Sequence, residues 1–293
     1  MRIIDGDSTD LQLLRRRLAP NRALDYNGPM STASPTHTTA ELTIVVLGDS
    51  IAAGYGLPPE YAWPELLRQA LTESYPHIAW RIHNLSVSGD TVADAYVRFD
   101  EARAARPDLL IIALGRNDCR RTHSPVVDRR IEIFNRNEQT WWGRNAMLRR
   151  LGYLINPLPE ASSTPETDSQ VPMEAFLSIL GWMMRQARAM NALPALVSMT
   201  PLAPAKTTDP HFAPCPRYQT ALRDLARDMG AALIEVDYAL PAGSWQVDGV
   251  HLTPRGQAEI ARRVLQNFQR PPIASHLALQ IQENNAHMAP SLD

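Results

Sequence analysis

The stretch Leu42-Thr43-Ile44-Val45-Val46-Leu47 is apolar at all but one position and runs straight into a glycine. A short apolar run closed by a turn residue predicts a strand. The same signal recurs along the chain and predicts strands near 42–47, 79–85, 109–114, 195–199 and 231–236. Between them the apolar positions fall three and four apart, which predicts helices near 62–74, 92–105, 174–190, 217–229 and 254–268. The last of these has its own start signal, Thr253-Pro254, a capping hydroxyl followed by proline at the first helical position. Ile260, Val264, Leu265 and Phe268 then share one face. Strands such as Leu109-Leu110-Ile111-Ile112-Ala113-Leu114 are apolar throughout, as expected of parallel strands covered on both faces by crossover helices. The alternation therefore predicts an α/β fold, a three-layer α/β/α sandwich around a central five-stranded parallel sheet.

The regularity has edges. Residues 1–40 show little periodicity and read as a poorly ordered lead-in with a short helix over Leu11 to Leu18. A single domain is expected over 41–270, with 271–293 as a tail. Within the domain the segment 120–172 breaks the pattern, since connections in such units usually take about two to six residues. It holds Trp141-Trp142, a short helix over Arg144 to Leu154 and a Pro/Ser/Thr-rich stretch from Pro157 to Pro172. It reads as an insertion at the carboxyl edge of the sheet, placed over whatever site lies there.

Composition narrows the function classes. A chain of 293 residues with 44% hydrophobic content can bury a full core. The net charge is −2 and the basic runs are short, so no nucleic-acid footprint is present. Cys119 and Cys215 are the only cysteines, too few and too far apart for a disulfide framework or a thiolate metal site, and both are expected to be free thiols. The N-terminal region lacks an apolar stretch of signal-peptide length, and no run approaches the roughly 18 residues of a spanning helix. No membrane span and a cytoplasmic location are the expectation. Nothing in the pattern specifies an oligomeric state.

Four short blocks sit at or beside predicted strand ends: Gly48-Asp49-Ser50, the run from Asn84 to Gly89-Asp90-Thr91, Gly115-Arg116-Asn117-Asp118, and Asp248-Gly249-Val250-His251. Each alone reads as turn chemistry. Together and in this order they resemble the SGNH hydrolases, the GDSL esterase/lipase family, over about residues 42–118 and 173–268. The resemblance implies a flavodoxin-like sheet, a nucleophile at Ser50, and Asp248 and His251 completing a triad. It also implies an oxyanion hole made by the N–H groups of Ser50 and Gly89 and the side-chain amide of Asn117. The chemistry is coherent, because a hydroxyl becomes nucleophilic when a neighbouring imidazole takes its proton. An amide supplies uncharged donors for an oxygen that turns negative only in the transition state.

Asp49 and Asp118 are expected to hold loops through side-chain-to-backbone hydrogen bonds. Arg116, Trp141 and Trp142 are candidates to touch substrate; the competing reading is a solvated side chain for Arg116 and anchoring of the insertion for the two tryptophans. His77, His83, His123 and His211 lack metal-ligand spacing, and neither metal nor other cofactor is implied. The run Gly48 to Pro59, with Ala62-Trp63-Pro64 and Ser88 to Thr91, resembles the lysophospholipase/arylesterase/thioesterase subgroup. Its expected partner is a small-molecule ester, thioester or acylated sugar. Hydrolysis through an acyl-serine is the leading expectation; an acyltransferase with the same triad and a non-catalytic binding protein of the same fold stand as alternatives.

Overall fold

The computed structural model describes residues 40–139 and 169–288. The lead-in, Trp141, Trp142 and the helix expected over Arg144 to Leu154 lie outside the described residues. Five strands, β1 (Ala40–Gly48), β2 (Ile78–Asn84), β3 (Leu109–Ala113), β4 (Leu193–Val197) and β5 (Ala232–Ile234), form one sheet in the order β2-β1-β3-β4-β5. Every pairing is parallel.

Alternation along β1 explains the layering. Leu42, Ile44 and Val46 enter one buried cluster and Val45 and Leu47 the other, as a period of two requires. The first cluster is closed by helices α2 (Trp63–Ser74), α8 (Pro254–Phe268) and α9 (Ile273–Met288). The second is closed by α3 (Val92–Val97), α4 (Phe99–Ala104), α5 (Pro125–Gln139), α6 (Met173–Ala189) and α7 (Cys215–Asp228). A single turn of helix, α1 (Ser50–Ala53), follows β1 directly. The predicted three-layer α/β/α sandwich and its five-stranded parallel sheet are the observed architecture.

Three elements depart from the pattern read in the sequence. The helix expected over 92–105 breaks at Arg98 (φ −99°, ψ 3°), whose guanidinium turns back to the Leu85 carbonyl and to Asp90. The insertion begins with α5, whose Val127, Ile133 and Phe134 are buried; Arg130 on this helix pairs with Asp94 of α3, and the Phe134 ring meets that of Tyr96 edge-on at 5.0 Å. Residues expected as a tail form α9. Its Ile273 and Leu277 are buried, His276 Nε2 lies 2.9 Å from the Asp108 carbonyl, and Asn284 donates to the Glu41 carbonyl at 2.9 Å.

The cysteines also depart from expectation. Cys119 and Cys215 are not free thiols but a disulfide with Cα atoms 4.9 Å apart. The sequence places them 96 residues apart, yet the fold brings the loop after β3 against the start of α7. Separation along the chain carried no information about separation in space.

Candidate active site

The strand order reverses between β1 and β3, and in open parallel sheets the crevice at the carboxyl ends of such strands is where ligands bind. Ser50 follows β1 there and Asn117 follows β3. Gly48 makes the turn possible: a Cβ at that position would lie 2.6 Å from Ala52 Cβ and 2.8 Å from Ser86 Oγ. Asp49 then caps α1 by accepting from the Ile51 N–H at 2.9 Å, so Ser50 is the first residue of the helix. Buried Gln257 fixes α1 from the other side. Its Oε1 accepts from the Trp63 N–H at 3.0 Å and its Nε2 donates to the Ile51 carbonyl at 2.9 Å.

His251 arrives from the loop before α8. Its Nε2 lies 2.9 Å from Ser50 Oγ and its Nδ1 lies 2.5 Å from Asp248 Oδ2. The other carboxylate oxygen of Asp248 accepts from the N–H groups of Val250 and His251, both at 2.9 Å. Partial burial works against the charge on Asp248, but these hydrogen bonds win and hold its carboxyl below the usual carboxylate range. An ionised carboxylate only accepts, so the Nδ1 proton belongs on the Asp248 side and Nε2 is left to accept from the serine hydroxyl. The sequence did not reveal two further supports. The Tyr55 ring stacks on His251 with centroids 4.2 Å apart, and Gln246 Nε2 holds that loop through the Tyr55 carbonyl at 2.8 Å.

Gly89 stands in the left-handed region at φ +88°, and nothing lies within 4 Å of where its Cβ would be. Backbone conformation, rather than a close approach, is what calls for glycine. Its loop is tied to the site by the Val87 N–H, which donates to the Gly48 carbonyl at 3.1 Å. Asn117 Nδ2 donates to the Asp90 carbonyl at 3.0 Å. That bond uses one amide N–H and sets the plane of the group, leaving the second N–H for another acceptor. Among the described residues the N–H groups of Ser50 and Gly89 have no other acceptor.

Asp49 and Asp118 are buried loop-holders: Asp118 Oδ1 accepts from the Val92 N–H at 2.9 Å. Burial pushes Asp49 up to about 6, opposed by the Ile51 N–H and the charge of Arg116. Burial likewise pushes Asp118 up to about 7. Arg116 donates to the Thr200 carbonyl, and its desolvation lowers it to about 10. Arg116 also lines a pocket of about 310 Å³ beside the site. Among the described residues no cluster of His, Cys, Asp or Glu is arranged to hold a metal ion, and no helix is long and apolar enough to cross a membrane.

An arylesterase of Vibrio mimicus is 41% identical over 85 residues, which are 29% of this chain and 42% of that protein. The esterase TesA of Pseudomonas aeruginosa is 38% identical over 107 residues, 36% of this chain and 52% of its own. The chain thus spans about half the length of the curated relatives it matches. Among solved structures, the psychrotrophic esterase EstA from Pseudoalteromonas sp. superposes with a TM-score of 0.52 at 19% identity, covering 78% of this chain and 96% of the other. An acetylxylan esterase from Geobacillus stearothermophilus does so with a TM-score of 0.54 at 16% identity, covering 79% and 96%. At such identities these two structures speak for the fold. The model of the GDSL-like lipase/acylhydrolase family matches residues 46–259, a span that runs from β1 into α8 and takes in all four blocks, and the chain belongs to that family.

Proposed function

We propose that the chain is a serine hydrolase of carboxylic esters or thioesters. Ser50 is the nucleophile, His251 the general base and acid, and Asp248 the group that orients the imidazole. The observation that carries this reading is the continuous hydrogen-bonded chain from Ser50 Oγ through His251 to Asp248. The names of its relatives, an arylesterase, an esterase, and a thioesterase/protease/lysophospholipase of Escherichia coli, support ester and thioester substrates.

Ser50 Oγ attacks the substrate carbonyl carbon while its proton passes to His251 Nε2. The carbonyl oxygen becomes an oxyanion and takes hydrogen bonds from the N–H groups of Ser50 and Gly89 and from the second N–H of Asn117. Collapse breaks the bond to the alcohol or thiol, which leaves with the proton from His251. Water then repeats the sequence on the acyl-serine and releases the acid. Asp248 holds the Nδ1 proton throughout and offsets the charge of the imidazolium. The Cys119–Cys215 bond supports an oxidising compartment in place of the cytoplasmic location expected from the sequence, because such bonds are rare in the cytosol.

Turnover of p-nitrophenyl acetate by the wild-type protein, and its loss in Ser50→Ala by a factor on the order of 10⁴ or more, is the expected result. Covalent labelling of Ser50 by a fluorophosphonate accompanies it. Equal rates in the two proteins sink the assignment.

A further inference from the structure

A pocket of about 310 Å³ opens beside the candidate site, between the loops that leave β3 and β4 and the first turn of α7. Its walls are apolar over Met199, Pro201, Leu202, Phe212 and Pro216. The size is at the lower end of ordinary ligand pockets, roughly 300–1,000 Å³. One end is formed by Arg116, the residue before Asn117.

The charges around this pocket are uneven. Asp237, the acid on the wall, is already matched, since Arg223 pairs with it and Gln219 Nε2 donates to it at 3.2 Å. Arg116 has no such match. Among the described residues it stands in no ion pair, and its hydrogen bond goes to a neutral carbonyl, that of Thr200. Asp49 acts on it only through space, both groups lining a separate cavity of about 20 Å³. A second cation, Arg120, approaches the same wall, with its guanidinium and that of Arg116 each 5.8 Å from the centre of the Phe212 ring. A desolvated guanidinium with unused N–H donors facing an apolar chamber suits a planar anion that takes two parallel hydrogen bonds.

We propose that this pocket binds a carboxylate carried on a short apolar stem, with Arg116 as the residue that reads the carboxylate. Two sources share that chemistry: an acyl group with a distal carboxylate, or the free acid that hydrolysis releases. Naming either source rests on the hydrolase reading, whereas binding itself does not.

Binding is measured by calorimetry on the full chain carrying Ser50→Ala, with pentanoate as the probe and pentanol as its neutral counterpart. Pentanoate is expected to bind more tightly than pentanol, and Arg116→Met in the same background to weaken pentanoate by about 10- to 100-fold while sparing pentanol. Thr207 is exposed on the same wall, so Thr207→Asp is expected to weaken pentanoate and Thr207→Lys to strengthen it, a pair that decides the matter if Arg116→Met does not fold. In the active protein, faster hydrolysis of mono-p-nitrophenyl glutarate than of p-nitrophenyl pentanoate, reversed by Arg116→Met, assigns the carboxylate to the substrate. Equal rates together with competitive inhibition by pentanoate that Arg116→Met removes assign it to the released acid. Pentanoate affinity no better than that of pentanol, or indifferent to position 116 and to both Thr207 changes, overturns the proposal. Failure to hydrolyse any ester while Arg116-dependent binding persists overturns the hydrolase reading instead.

Discussion

Burial sets the charge state of Asp118. The side chain is fully enclosed, Oδ1 accepts from the Val92 N–H, and Oδ2 has no hydrogen-bond partner among the described residues. Enclosure raises its pKa from the ordinary 3.8 to about 7. Between those values the folded chain holds a proton that the unfolded chain has released, so folding stability falls as pH rises through that window and levels off above it. Asp118→Asn keeps the acceptor for Val92 and cannot ionise. The expected outcome is a variant that is less stable than wild type near pH 4, where its new N–H is unsatisfied, with the gap closing by a few kcal/mol by pH 8. Urea unfolding of both proteins at these two pH values reads the difference directly, and a gap that stays constant contradicts a buried, titrating Asp118. The roles of Asp49 and Asp118 as loop-holders were legible in the sequence, because a short acid beside a turn hydrogen-bonds the nearby backbone. Tyr55 against His251 was not, since a stacked pair separated by most of the chain leaves no local signal.

At the scale of elements, β1, β3, β4 and β5 were legible as compact apolar runs, whereas β2 carries Arg81, His83 and Asn84 among its apolar residues. Four of the five helices expected from the sequence held as single helices because their apolar positions keep one stripe, and the fifth, 92–105, breaks at Arg98. Helix α9 was not legible. Ile273, Leu277 and Ile281 do fall four apart, but Leu279 faces solvent and blurs the stripe, so local pattern alone did not separate a packed helix from a tail. What makes α9 part of the fold is its docking on β1 and its hydrogen bonds to the Asp108 and Glu41 carbonyls. That docking has a stability consequence. Ile273→Ala and Leu277→Ala each remove a buried branched side chain from the cluster that includes Leu42 and Ile44, and each is expected to cost about 2–5 kcal/mol. The site lies at the opposite, carboxyl end of β1, so the variants that remain folded are expected to turn over p-nitrophenyl acetate at the wild-type rate. Denaturant midpoints together with p-nitrophenyl acetate turnover test both halves of this. Unchanged midpoints mean that α9 is not part of the cooperative unit.

At the scale of the molecule, the candidate site is assembled from residues that share nothing in sequence. Ser50 and His251 stand 201 positions apart and meet because every strand of a parallel sheet delivers its carboxyl end to the same edge. The disulfide is gathered at this edge by the same logic, with Cys119 just beyond Asn117 and Cys215 at the head of α7. A topology that could be read from alternating strands and helices therefore implied the meeting of the four blocks, whereas the meeting of the two cysteines depended on how the loop before α7 folds back, which no periodicity encodes. Closing a loop of 96 residues removes conformational freedom from the unfolded chain, worth about 4–5 kcal/mol in the chain-entropy model. The double variant Cys119→Ala/Cys215→Ala is expected to lose stability of that order. Both sulfurs are enclosed, with Cys119 0% and Cys215 5% exposed, so a dithiol reductant should act slowly on the native protein and quickly once it is unfolded. Thiol counting separates the disulfide from a pair of thiols merely shielded by the fold. Protein denatured without reductant should present no reactive thiol, and the same protein denatured after reduction should present both; thiols that react in the unreduced, denatured chain remove the bond and the stability assigned to it.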